Sequence, residues 1–179
     1  IQIQFYPVCA VDDLTIARIA HGFLGRVCPL RSRSRGSIEL ASPDARKPPK
    51  IHFNYLSCEE DREEMRACLR LTREIFQQPA FDSYRGEEIS PGKSVVEADS
   101  IDNFVRETAG SNYHVCGTCK MGMDDNSVLD PASLRVQGIE GLRVVDSSAM
   151  PYVPNGNIFA PTMMLAEKAA DLILGNTPL

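Results

Sequence analysis

The most informative stretch of the sequence is Tyr113-His114-Val115-Cys116-Gly117-Thr118-Cys119-Lys120-Met121-Gly122. It places one histidine among glycines, small residues and thiols, with neither a helical nor a strand period. Backbone of this kind is usually bent to present a side chain at a site. A second unusual segment, Pro154-Asn155-Gly156-Asn157-Ile158-Phe159-Ala160-Pro161-Thr162, runs directly into a helical pattern. A loop histidine and an asparagine at a helix entrance are suited to handling a proton and a developing negative charge.

Composition narrows the class of protein. The chain has 179 residues, of which 43% are hydrophobic and 24% charged, ordinary values for a globular protein with a sizeable core. The net charge of −5 argues against a general nucleic-acid binder. No apolar run approaches the ~20 residues that span a bilayer. The chain opens at Ile1 without an initiator Met or a signal-like segment, which predicts a piece of a longer protein.

The cysteines favour free thiols. Six cysteines at irregular spacings in a chain of this length indicate a reducing compartment such as the cytoplasm rather than a disulfide framework. Cys116 and Cys119 form a Cys-x-x-Cys pair, which leaves open a thiol or zinc module. A structural zinc site needs four ligands, and no second cysteine and histidine cluster accompanies His114. We therefore expect no metal; the simpler interpretation is two small loop residues that happen to be cysteine.

The first part of the chain carries strand patterns. Residues 22–28 are predicted to form a strand, and residues 12–21 fit either a short helix or a loop. Residues 37–41 and 51–55 alternate apolar and polar side chains, as half-buried strands do. The proline-rich stretch 42–49 between them indicates a turn, so these two strands are predicted to pair antiparallel.

A long helix follows. Ser57 and Glu60, three residues apart, form a capping box that predicts its start. The helical pattern continues to about Gln77, and Pro79 ends it. The charged residues take one face, and the inward stripe is predicted to be Met65, Cys68, Leu69, Thr72, Ile75 and Phe76.

A loop over residues 80–98 leads to a shorter helix from about Ser100 to Ala109. Asp99 or Ser100 is predicted as its N-cap, and Gly110 as its left-handed stop. Further on, residues 141–146 predict a buried strand that ends in a carboxylate.

The last predicted element is a helix from about Ala160 to Leu174, closed by Gly175. Its apolar positions keep a helical period at Phe159, Met163, Ala166, Ala170 and Ile173.

Several pieces of the sequence occur in an order and spacing that resemble a known family. They are Ser34-Arg35-Gly36-Ser37, the segment from His114 to Gly122, Leu142-Arg143-Val144-Val145-Asp146-Ser147-Ser148-Ala149-Met150-Pro151, and Asn155-Gly156-Asn157 with Ala160-Pro161-Thr162-Met163-Met164-Leu165-Ala166-Glu167-Lys168-Ala169-Ala170-Asp171. Together they resemble the C-terminal part of a glucose-methanol-choline (GMC) oxidoreductase, most closely the choline-dehydrogenase-like branch. The resemblance covers about residues 22–175 and is most specific in the last third.

The resemblance implies FAD-dependent oxidation of a small-molecule alcohol at its CH–OH group. His114 falls on the family's catalytic histidine, and Asn157 on the second catalytic position. The positions implied to contact the cofactor are Asp146, Ser147, Asn157, Ile158 and Pro161.

Elementary chemistry agrees with these roles. A neutral imidazole at His114 is suited to take the hydroxyl proton near pH 7. The Asn157 amide can donate a hydrogen bond to the forming alkoxide. The final helix starts just beyond, with Pro161 tolerated in its first turn, and its N-terminal dipole would stabilise negative charge on a reduced flavin. Hydride itself would go to flavin N5.

The predicted fold class is α+β. Residues 1–135 are expected to form an antiparallel-sheet substrate domain with packed helices. Residues 136–179 are expected to supply the closing strand and C-terminal helix of an FAD-binding α/β domain. The family's Gly-x-Gly-x-x-Gly turn is absent from the sequence, so the N-terminal dinucleotide-binding portion is expected to be a missing partner. Alone, the chain is expected to bind FAD weakly or not at all and to be inactive; a non-catalytic interaction domain on the same scaffold is the alternative.

Overall fold

The computed structural model describes residues 1–8 and 21–176. Cys9 and, apart from His21, the ambiguous stretch 12–21 lie outside the described residues. The described helices and strands are β1 (Gln2–Tyr6), β2 (Leu24–Cys28), β3 (Ser37–Glu39), β4 (Lys50–His52), α1 (Glu59–Phe76), α2 (Ala98–Thr108) and α3 (Phe159–Leu174), with short 3₁₀ turns at Pro79–Phe81 and Ser147–Ala149. This mixture of helices and small antiparallel sheets confirms the predicted α+β class.

The chain divides into two compact units. The first unit comprises Ile1–Ser34 and Leu56–Gly110, and the second comprises Arg35–Tyr55 and Ser111–Leu179. The predicted boundary between residues 135 and 136 is a different division, and it stays a prediction.

In the first unit, a two-stranded sheet packs on α1. β1 and β2 pair antiparallel from Gln2 opposite Cys28 to Tyr6 opposite Leu24, which confirms the predicted strand at 22–28. Gly25 of β2 makes the close approach to α1 possible, because a Cβ there would lie 2.8 Å from the Phe76 ring. That ring belongs to a cluster of four phenylalanines: Phe5, Phe23, Phe76 and Phe81.

The inward stripe of α1 is confirmed in part. Cys68 and Thr72 are buried, and Ile101 and Val105 of α2 are buried in the same unit. Ile75, in contrast, is 37% exposed, so its place in the stripe was wrong. Phe76, also predicted in the stripe, does face the sheet, where its ring lies against Gly25.

α1 and α2 begin differently from the sequence prediction. The predicted capping box of α1 was wrong: the N-cap is Cys58, with no side-chain cap hydrogen bond. The Ser57 N–H, which the Glu60 side chain would accept in a capping box, donates to Ser34 Oγ at 3.0 Å instead. The N-cap of α2 is Glu97, and Ser100 lies within the first turn, where its hydroxyl donates to the Glu97 carbonyl at 2.7 Å.

The end of α2 also differs. Gly110 was predicted to supply a left-handed stop, but α2 ends at Thr108, and its C-cap, Ala109, is extended with φ −69° and ψ 135°. The N–H of Ala109 donates to the Val105 carbonyl at 2.8 Å, which satisfies one of the terminal carbonyls.

In the second unit, β3 and β4 form the predicted antiparallel pair, with Ile38 opposite Ile51. The strands are shorter than predicted, and they are exposed rather than half-buried, since Ile38 is 51% and Ile51 53% exposed. Gly36 lets the two segments meet, because a Cβ there would lie only 1.9 Å from the His52 carbonyl oxygen.

The prediction of a buried strand at 141–146 was wrong, because these residues form no strand in the structure. The segment begins in a turn at Gly141, whose φ is 75°, and among the described residues its ladder is a single bridge between Arg135 and Arg143, with Val136 N–H donating to Leu142 O at 2.9 Å. A buried strand needs neighbours on both sides, and one bridge leaves Leu142 exposed.

α3 confirms the last predicted helix. It ends at Gly175, whose φ of 72° is the left-handed conformation expected of a terminating glycine. Ala169 is buried, whereas Phe159 is 74% exposed. Within the described part of the chain, no helix combines the length and the apolar character needed to span a membrane.

Candidate functional site

His114 lies half-buried in an irregular segment of the second unit. We call residues 113–122 the histidine loop. Tyr113 and Gly117 both have positive φ, 59° and 90°, so two left-handed positions bracket His114. Holding a tyrosine in this conformation costs about 1–3 kcal/mol, which the surrounding structure must supply. The Ser111 hydroxyl oxygen contributes by accepting the Tyr113 N–H at 2.9 Å.

The histidine loop is bound to the Ser147–Ala149 turn by its backbone. Three alternate N–H groups, those of Gly117, Cys119 and Met121, donate to the successive carbonyls of the turn at 3.4, 2.9 and 2.9 Å. We call these three bonds, together with the Ser147 hydroxyl bond described next, the loop–turn ladder. Gly117 suits its place, because its φ of 90° is a backbone conformation that favours glycine.

One side chain joins the loop–turn ladder. The Ser147 hydroxyl donates to the carbonyl of Val115 at 3.2 Å. The structure therefore brings the neighbours of His114 in the chain against Ser147, two pieces that the sequence singled out separately. The bonds themselves were missed, because hydrogen bonds between residues about thirty positions apart leave no local pattern.

Asp146 shapes the turn. Its carboxylate accepts the Ser148 N–H at 2.7 Å and the Ser148 hydroxyl at 2.5 Å. Such a local carboxylate cap organises a turn at little entropic cost. The backbone carbonyls of the turn are thereby presented to the histidine loop.

The two thiols of the histidine loop are half-buried and free. Burial raises the pKa of the Cys116 thiol, and the positive charge of Arg35 offsets this only in part. A raised pKa leaves less of the thiolate that metal binding or nucleophilic attack requires. Among residues 1–8 and 21–176, no group of three or more His, Cys, Asp or Glu side chains is placed to hold a metal ion. A thiol or zinc module therefore gains no support from this geometry.

Asn157 is exposed and lies directly before α3. The N-cap of α3 is Ile158, whose carbonyl accepts both the N–H and the hydroxyl of Thr162, at 3.0 and 2.7 Å. Pro161 lies in the first turn, where its missing N–H breaks no helical bond. His114 and Asn157 belong to the same compact unit, and the convergence of their side chains on one pocket stays a prediction.

Comparison with known proteins shows the family. A family model described as GMC oxidoreductase matches residues 32–166. The oxygen-dependent choline dehydrogenase of Brucella ovis is 54% identical over 181 residues, covering 100% of this chain and 33% of the relative. The chain belongs to the GMC oxidoreductase family, as its motifs predicted. It spans about a third of the length of the curated relatives it matches.

Solved structures share the fold. The pyridoxine 4-oxidase from Mesorbium loti is 32% identical with a TM-score of 0.77, over 83% of this chain and 29% of that one. An FAD-dependent oxidoreductase from Chaetomium thermophilum is 29% identical with a TM-score of 0.75, over 86% of this chain and 26% of that one. The family and these neighbours imply FAD in the full-length proteins.

Proposed function

We propose that the full-length protein is an FAD-dependent oxidoreductase that oxidises an alcohol to an aldehyde. The observation that supports this most is the loop–turn ladder, which binds the histidine loop to the predicted cofactor-contacting turn in a chain of the GMC oxidoreductase family. The Brucella ovis relative is named a choline dehydrogenase, so choline is the first alcohol to test.

His114 is the proposed base. An alcohol carbon releases hydride more readily as its hydroxyl proton leaves, because an alkoxide expels hydride. A neutral imidazole accepts that proton efficiently near pH 7. The bent backbone on both sides of His114 favours one direction for its side chain, which proton transfer requires.

Asn157 is the proposed partner of His114. Its amide N–H₂ donates a hydrogen bond to the oxygen on which negative charge develops, and it has no tendency to take the proton from the base. Its place at the entrance of α3 puts it beside the positive end of the helix dipole, which favours the same charge.

The start of α3 fits an anionic group. The first N–H groups of a helix have no partner within it, and the first turn of α3 contains no acidic residue. The residues proposed to hold FAD are Asp146, Ser147, Asn157, Ile158 and Pro161. When bound, FAD supplies the hydride acceptor at N5, while residues of this chain hold the alcohol oxygen and take its proton.

Replacing His114 tests this proposal. In the full-length protein, His114→Ala should slow anaerobic flavin reduction by choline by roughly 10²–10⁴-fold, the usual effect of losing a base. His52→Ala is the matched control, because His52 is an exposed histidine of β4, outside the site motifs. Flavin absorbance in a stopped-flow instrument measures both. An unchanged rate in His114→Ala, with FAD bound, would end the assignment.

The chain of 179 residues alone is proposed to hold FAD weakly or not at all. Gel filtration after mixing with FAD, followed by flavin absorbance of the protein peak, measures this. A stoichiometric flavin peak would show that the two predicted cofactor segments suffice without the dinucleotide-binding turn.

A further inference from the structure

The Ser147 hydroxyl bond is the side-chain bond of the loop–turn ladder, and the proposed function gives it no role of its own. We propose that Ser147 is a positioning residue for His114, acting through its hydrogen bond to the Val115 carbonyl. This inference rests on the proposed role of His114 as base. It assigns the Ser147 side chain to the histidine loop, in addition to any contact its backbone makes with the cofactor.

The backbone of the histidine loop explains why this bond matters. Left-handed residues Tyr113 and Gly117 enclose an arch of three residues, 114–116. The three backbone bonds of the loop–turn ladder begin at Gly117 and continue away from the arch. The Ser147 hydroxyl is the ladder group that reaches inside the arch, at the residue directly after His114.

Ser147 binds the arch at Val115 and binds Gly117 at the end of the arch. Its carbonyl accepts the Gly117 N–H at 3.4 Å, and its hydroxyl donates to the Val115 carbonyl at 3.2 Å. Because the arch is so short, the peptide group after Val115 cannot rotate unless the backbone torsions of its neighbours, including His114, change as well. Two contacts from one residue restrict that rotation, so the direction of the imidazole depends on both.

The test compares three variants of the full-length protein. Ser147→Ala removes the hydroxyl, and Ser147→Thr retains it. Ser133→Ala is the matched control, because the Ser133 hydroxyl donates to the Asp130 carboxylate at 2.7 Å, in a different loop of the same unit. Hydrogen exchange of the histidine loop amides is measured by mass spectrometry. FAD content and the rate of flavin reduction at several choline concentrations are measured on the same samples.

Ser147→Ala should raise exchange in the histidine loop and slow flavin reduction about threefold to tenfold, the rate change expected from one hydrogen bond. The loss should fall on the limiting rate of flavin reduction and leave its dependence on choline concentration unchanged, because the arch orients the base and does not bind the alcohol. FAD content should also stay unchanged, because Ser147→Ala retains the backbone through which this residue is proposed to contact the cofactor. Ser147→Thr should restore exchange and rate, and Ser133→Ala should match the wild type.

Two results would overturn the positioning role. One is wild-type exchange in Ser147→Ala. The other is a reduced FAD content with an unchanged rate per bound flavin, which would assign the hydroxyl to the cofactor. If the wild-type protein binds FAD but oxidises no alcohol, the proposed function is wrong. Hydrogen exchange would still show, independently of activity, whether the Ser147 hydroxyl orders the histidine loop.

Discussion

The first unit and the histidine loop are held by different kinds of hydrogen bond. In the first unit, beyond the backbone bonds of the β1–β2 sheet and the Ser57 bond to Ser34, charged side chains make long-range links: Arg66 binds the Asp102 carboxylate through two nitrogens at 2.7 Å, and Arg73 binds Glu88. Buried Asp61 accepts three donors from the segment before β3. The loop–turn ladder, in contrast, is made of backbone groups apart from one serine hydroxyl.

Backbone hydrogen bonds of this kind allow a loop to be ordered while its side chains stay available for chemistry. Backbone bonds leave the side chains of the histidine loop free for chemistry, and they depend on backbone conformation more than on residue type. The first unit relies on particular carboxylates and guanidinium groups. Changes of side chain should therefore weaken the first unit most, and changes of backbone conformation should weaken the histidine loop most.

The largest expected loss of stability is at Asp61. Its carboxylate accepts the Ser32 hydroxyl at 2.5 Å and the N–H groups of Arg33 and Ser34 at 2.7 and 2.8 Å. Asp61→Asn replaces a charged acceptor by an amide that cannot accept all three bonds, so we expect a loss of about 2–4 kcal/mol in unfolding free energy. Urea denaturation measures it. Asp125→Asn, at an exposed turn, should change stability little.

The same carboxylate predicts a pH dependence. Burial by itself would raise the pKa of Asp61, but hydrogen bonds from Arg33, Ser32 and Ser34 outweigh it and lower the pKa well below its ordinary value. Because the folded pKa is the lower one, the carboxylate stabilises the fold above its unfolded pKa of about 3.9, and this contribution fades as the pH falls further. The advantage of wild type over Asp61→Asn should therefore shrink in urea titrations below about pH 4. A constant difference would contradict this.

The next largest expected loss of stability is at Gly117, where the cost comes from backbone conformation. Gly117→Ala places a Cβ at a φ of 90°, so we expect a loss of roughly 1–3 kcal/mol, and slower flavin reduction as the arch shifts. Gly86→Ala is the control, because a Cβ there meets nothing within 4 Å. Thermal unfolding and stopped-flow flavin reduction measure the two effects. Equal behaviour of both alanine variants would show that backbone conformation does not limit the histidine loop.

The smallest expected effect is at Arg73. Its guanidinium binds Glu88 and also the carbonyls of Gly92 and Val95, at 3.0 and 2.6 Å. Arg73→Lys keeps the positive charge but loses the planar guanidinium group that makes several hydrogen bonds at once. We expect the free energy of unfolding to fall by about 1 kcal/mol and residues 88–95 to be cleaved faster by proteases. Arg46→Lys, which alters an exposed pair, should leave both unchanged. If the two lysine variants behave alike, the guanidinium geometry of Arg73 does not order this loop.

Prediction from sequence succeeded where the signal is local. α1 and α3 follow from their helical periods, and Gly175 ends α3 as predicted. Prediction failed where contacts with residues distant in the sequence, rather than the local pattern, determine the structure. The N-terminus of α1 uses Ser34 rather than its capping box, and residues 141–146 lack the neighbours that a buried strand requires. The predicted roles of His114 and Asn157 stay predictions.

The sequence alone was enough to predict the family, the main helices, the antiparallel pairing of β3 with β4 and the candidate residues, because periodicity and short motifs are carried by consecutive residues. The folded structure was needed to show that the histidine loop lies against the Ser147–Ala149 turn, and that β3 and β4 are exposed. The physical reason is that every backbone carries the same donors and acceptors. Which of them pair across thirty residues depends on the folded path of the chain, and the side chains alone do not encode it locally.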